Sequence, residues 1–140
     1  MMKSSVFLFL MALALAENCD SSHSGEAALY GPTWELEYIT GARIAFEGLY
    51  PNNKPRLTFD GEAKRVSGTD SCNGFSTDFE LEGNSLSFGE SGPTTLRFCG
   101  GSERQFLDMM EKVDGFAVEG DKLNLLSGDL PVMRFKKVGS

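Results

Sequence analysis

Two of the three cysteines, Cys72 and Cys99, bracket a run of short segments in which apolar and polar residues alternate. Phe75 to Glu82 sets Phe75, Thr77, Phe79 and Leu81 against Ser76, Asp78, Glu80 and Glu82. A period of two belongs to a strand with one buried and one wet face. Gly83-Asn84 then turns the chain into Ser85–Phe88, whose Leu86 and Phe88 continue the buried face. Thr94–Phe98 reads as a further strand after the Gly89–Pro93 loop. Strands this short, joined by Gly-containing turns, pair as an antiparallel meander.

The same grammar extends outward. Thr33–Ile39 (TWELEYI) alternates Trp34, Leu36 and Tyr38 against Glu35 and Glu37. Gly41–Lys54 is irregular, with Ile44, Phe46 and Tyr50 available to tuck under the sheet. Pro55–Asp60 is a strand with Leu57 and Phe59 inward, and Lys64–Gly68 a weaker one holding Val66. After Cys99 the period changes. Gly100-Gly101 breaks the strand, and Ser102-x-x-Gln105 has the form of a capping box. Phe106, Leu107, Met110 and Val113 follow at helical spacing, so one helix is expected over Glu103–Asp114, stopped by Gly115. Phe116–Glu119, Lys122–Leu126 and Val132–Lys136 return to strands. The expected class is α+β: a mainly antiparallel curled sheet or partial barrel with one helix packed on it.

Residues 1–16 read as a cleaved signal peptide. Lys3 supplies the positive start, Val6–Ala16 an apolar run too short for a bilayer, and Ala14-Leu15-Ala16 a small-x-small cleavage site. Residues 17–29 (ENCDSSHSGEAAL) read as a flexible polar tether, and 30–138 as the folded domain. The protein is thus expected to be secreted, periplasmic or in the cell envelope. Membrane attachment is expected only if Cys19 is lipidated, which Asn18 in the preceding position disfavours.

The net charge of −7 argues against nucleic acid as a partner, because an acidic surface repels phosphates. Chemistry-bearing patterns are sparse. The one histidine, His23, lies in the expected tether, and Cys19, Cys72 and Cys99 form no metal-binding pair. No metal or cofactor is expected. Glu35, Glu37, Asp78, Glu80 and Glu82 fall on wet strand faces. Asp70, beside Cys72, suits capping of backbone amides or contact with a partner.

Thr33-Trp34-Glu35-Leu36, Leu57-Thr58-Phe59-Asp60, Val66-Ser67-Gly68 and Ser71-Cys72-Asn73-Gly74-Phe75 occur in this order. Leu86-Ser87-Phe88-Gly89, Thr94–Cys99, Phe106-Leu107 and Leu123-Asn124-Leu125 follow. Together, from about Tyr30 to Lys137, they resemble the META domain, the family of the bacterial heat-shock lipoprotein J. The resemblance implies a small α+β domain of envelope or secreted proteins tied to stress tolerance, with no catalytic residues to carry over. Gly74 stands where the family turn usually continues with Arg.

The expected function is therefore a non-enzymatic, stress-related module binding a protein or an apolar ligand. An apolar groove lined by Phe75, Phe79, Phe88 and Phe98 would serve the latter, against the plainer reading that these rings fill the core. A carboxylate-dependent hydrolase is the alternative, and it needs at least two of Asp60, Asp70 and Glu90 to converge. In an oxidising compartment Cys72 and Cys99 are expected to pair if their strand ends are neighbours, leaving Cys19 odd. The opposing possibility is two buried free thiols.

Overall fold

The computed structural model describes residues 22–90, 92–93 and 97–139. The signal-peptide, cleavage-site and Cys19 expectations lie outside them. The strands are β1 (Thr33–Ile39), β2 (Arg56–Asp60), β3 (Arg65–Thr69), β4 (Gly74–Glu82), β5 (Ser85–Phe88), β6 (Gly92–Pro93), β7 (Gly115–Glu119), β8 (Lys122–Ser127) and β9 (Leu130–Val138). The helices are α1 (Ser22–Leu29), α2 (Phe46–Leu49) and α3 (Ser102–Met110). Every named strand pairing is antiparallel.

The sheet runs β3-β2-β1-β9-β8-β7-β5-β4, with β6 beyond β4, and a further β3–β4 pairing closes it into a barrel. The β4 strand makes closure possible by pairing with both β3 and β5, besides β6. Its first half pairs with β3 and its second half with β5. The seam is thinnest between β5 and β7, where Ser85 lies opposite Gly115. A Cβ on Gly115 would come 3.3 Å from the Asn84 carbonyl oxygen, so this residue lets the edges close rather than ending α3. Gly68 has a similar role, since a Cβ there would sit 1.8 Å from the Arg56 carbonyl oxygen on β2.

The inward residues fill the barrel with side chains, as a small barrel requires. Trp34, Leu36, Leu57, Val66, Leu123 and Phe135 are all essentially inaccessible. Wet-face carboxylates pair across strands: Glu35 with Arg56 at 2.7 Å, Glu37 with Lys122 at 2.8 Å and Asp78 with Arg65 at 2.6 Å.

Four local expectations are corrected. A register shift between Leu36 and Tyr38 turns Tyr38 outward, where it is 42% exposed beneath the Arg134 guanidinium, and carries Ile39 inward. Residues 22–29 form α1 instead of a tether, with Leu29 fully buried and its carbonyl accepting the Trp34 indole N–H at 3.1 Å. The loop after β1 contains α2, so there are three helices among the described residues rather than one. At the expected Thr94–Phe98 strand, Arg97 and Phe98 are irregular and residues 94–96 lie outside the described set.

Candidate functional site

The strand ends flanking α3 gather most of the buried polar groups. Among the described residues, Asp70, Asn73, Thr77 and Glu103 are the buried polar or charged ones, and three of them meet here. Asp70 follows β3 and folds the chain into a tight turn. Its Oδ1 accepts the N–H of Cys72 at 2.9 Å and of Asn73 at 2.6 Å, while Ser71 takes a left-handed φ of 85°. A short acceptor side chain is what such a turn needs, which explains the amide-capping role expected of Asp70.

Asn73 then ties this turn to the segment entering α3. Its Nδ2 donates to the Arg97 carbonyl at 2.9 Å, and its Oδ1 accepts the Arg97 N–H at 2.9 Å. The Cys72–Cys99 disulfide, with Cα atoms 5.9 Å apart, joins the same two segments. The expected bridge is therefore present. Phe98 lies between these two attachments and is 85% exposed.

The start of α3 is capped differently from the expected Ser102–Gln105 box. Gly101 is the N-cap, with φ of 96° and no side-chain cap bond. Glu103 reaches back instead, accepting the Cys99 N–H on Oε1 at 2.9 Å and the Gly101 N–H on Oε2 at 3.1 Å. Burial by itself would raise the Glu103 pKa, but these amide bonds outweigh it and hold the carboxyl below its usual value. Tyr50, nearly buried, donates its hydroxyl to the Ser102 carbonyl at 3.2 Å. Its pKa is pushed well up, by burial first and then by the negative charges of Asp70 and Glu103. One atom in this cluster stays unsatisfied. Asp70 Oδ2 is the buried side-chain polar atom, among the described residues, without a hydrogen-bond partner.

Two clefts flank the Cys99–Ser102 segment. One, of about 320 Å³, is lined by Asp70, Phe98, Glu103, Leu107, Asp108 and Glu111, with Arg97 and Arg104 also at its walls. The other, of about 420 Å³, lies between α2 and α3 and includes Ile44, Leu49 and Pro51. Ile44 is 57% exposed there.

The four phenylalanines do not share a groove. Phe75 stacks edge-on against Phe106 of α3, with centroids 5.8 Å apart, and Phe106 in turn meets Phe135 at 6.4 Å. Phe79 belongs to a separate group, 5.5 Å from Phe59, which also meets Phe88 at 6.1 Å. Of the four, Phe98 lines the cleft beside α3. The hydrolase trio is dispersed too. Asp60 and Asp70 follow opposite ends of the β2–β3 hairpin, and Asp60 Oδ1 caps the amides of Glu62 and Ala63 in its own turn. The Glu90 carbonyl bonds Thr77 on β4. Among the described residues, no group of three His, Cys, Asp or Glu side chains is arranged to hold a metal ion.

Sequence reasoning missed Asn73, Tyr50 and the capping role of Glu103. For Glu103 the signal was available: a carboxylate two residues past a Gly-Gly pair can reach backward over amides that have no other partner.

The META domain model matches residues 27–139, and the chain belongs to the META domain family. No curated protein matches it. Among solved structures, a protein from Burkholderia xenovorans aligns with TM-score 0.64 and 17% identity, over 96% of this chain and all of that one. A DUF4847 family protein from Bacteroides vulgatus aligns with TM-score 0.57 and 12% identity, over 79% of this chain and 95% of that one. At such identities these likenesses speak to the fold. The family match begins at residue 27, within α1 and before Tyr30.

Proposed function

We propose that this protein is an exported, non-catalytic META module that binds a protein partner through the barrel end around the entry to α3, in a role protecting against stress. The observation that carries the reading is Phe98. It stands 85% exposed on a segment anchored at Arg97 by Asn73 and at Cys99 by the disulfide. A large apolar ring in water is ordinarily a cost, whereas burying it against a partner contributes about 1.5–3 kcal/mol. Anchoring its backbone beforehand lowers the ordering entropy lost on binding. Ile44 is a second exposed apolar side chain, lining the cleft on the other side of the Cys99–Ser102 segment. Export is supported by the disulfide, which persists in oxidising compartments, and by the apolar leader in the sequence. The stress role rests on family membership.

Site-specific photo-crosslinking tests the reading. A photoreactive phenylalanine analogue is placed at position 98 or 44, and as a control at Leu130, which is 71% exposed at the β8–β9 turn. Under heat stress, a discrete adduct of the same identified protein from positions 98 and 44, absent from 130, is expected. Equal yields from all three positions, or adducts from 130 alone, would overturn it.

A further inference from the structure

We infer that the 320 Å³ cleft beside α3 is a receptor for a basic side chain, preferentially an arginine, on the bound partner. This rests on the proposed binding face and specifies its chemistry. The cleft holds four carboxylates, Asp70, Glu103, Asp108 and Glu111, against the two guanidinium groups of Arg97 and Arg104. Within it Asp70 is only 1% exposed, and its Oδ2 has no hydrogen-bond partner. A buried carboxylate oxygen left unpaired costs more than one that is satisfied, so a donor reaching it removes a penalty as well as adding a bond. A cationic donor suits this site, because Glu103, also buried, lines the same cleft. An anion would meet both carboxylates, whereas a cation gains from the four acids of the cleft, which outnumber its two guanidinium groups.

Arginine fits better than lysine. Its planar guanidinium presents several donors, sheds water readily and stacks on aromatic faces. Phe98, on the cleft wall, supplies such a face, and Leu107 an apolar surface for the methylene stem. Asp108 and Glu111, exposed on and just after α3, lie where an approaching cation passes.

N-acetyl-arginine amide is the probe, its neutral isostere N-acetyl-citrulline amide the control, and backbone amide NMR shifts of the full mature chain the readout. Saturable shifts confined to Asp70, Asn73, Phe98 and Leu107 with the arginine probe, and none with citrulline, are expected. Asp70→Asn keeps an Oδ1 acceptor for the turn amides while removing the charge, and should weaken the arginine probe about tenfold. If that variant does not fold, Asp108→Asn combined with Glu111→Gln decides, and at least about a threefold loss is expected. Linear shifts spread over the acidic surface, equal response to citrulline, or unchanged affinity in the variants would overturn the inference. Position-98 crosslinking that succeeds with a partner insensitive to Asp70→Asn would overturn the arginine receptor while leaving the binding face standing.

Discussion

Replacing both Cys72 and Cys99 by serine tests how the barrel end is held. The bridge spans a sequence separation of 27, closing a loop of 27 + 1 = 28 residues. In the chain-entropy model a loop of 28 residues corresponds to a loss of about 12 cal/mol/K in the unfolded chain, or about 3.6 kcal/mol at 25 °C. An unfolding entropy of about 2.1 cal/mol/K per residue, over the roughly 118 residues from Ser22 to Gly139, gives about 0.25 kcal/mol per degree. The double variant should therefore melt about 14 °C lower. Asn73 keeps its two bonds to Arg97 in the variant, so the folded state should retain its shape and the loss should appear mainly through the unfolded chain. Differential scanning calorimetry at pH 7 measures the shift, and wild type in excess reductant should reproduce it. A loss below about 3 °C would refute the reasoning, because the loop-closure term would then be absent.

Glu103→Gln should lower stability at neutral pH by about 1–3 kcal/mol, since the charged acceptor on two amides is lost. The folded-state pKa of Glu103 is depressed, so its contribution is present above the ordinary glutamate value and fades as pH falls through the lowered one. Melting curves from pH 7 to 3 should show the gap to wild type narrowing, and a constant gap would contradict the assignment. Tyr50 has the opposite sign: its raised pKa leaves stability intact below about pH 10 and lost above it, so Tyr50→Phe should flatten the alkaline decline in urea midpoints. Parallel declines of variant and wild type would count against it. Gly68→Ala drives a Cβ to 1.8 Å from a backbone oxygen and should destabilise by at least about 2 kcal/mol. A melting temperature within about 2 °C of wild type would mean that β2 and β3 separate freely.

Strands were readable wherever alternation ran unbroken. β2 and β8 bury the residues that a period of two selects, Leu57 and Phe59 or Leu123 and Leu125, and β4 and β5 do so up to Leu81 and Phe88, which are partly buried. β1 shows the limit of that rule. Its sequence alternates through Tyr38, but the shift after Leu36, set by pairing with β9, reverses which residue faces inward. α1 was missed because SHSGEAAL has little helical periodicity of its own. It is held by tertiary contact, with Leu29 buried and Gly25 passing near the Phe116 ring. Gly115 resembled a helix stop locally, whereas its function lies in a barrel seam formed with residues about thirty positions earlier. The disulfide could be anticipated because compartment and strand ends both pointed to it. The polar cluster could not, since Tyr50, the Asp70–Asn73 turn and Glu103 come from three separate segments that only the closed sheet brings together.

Hydrogen exchange, measured on the mature protein alone and with the partner captured at position 98, tests the binding face most directly. Slowed exchange confined to Asp70–Asn73 and to the amides from Arg97 through α3, with the β8–β9 turn unchanged, is the predicted result. Protection centred on Leu130 and the β8–β9 turn, with the α3 entry exchanging as in the free protein, would contradict it.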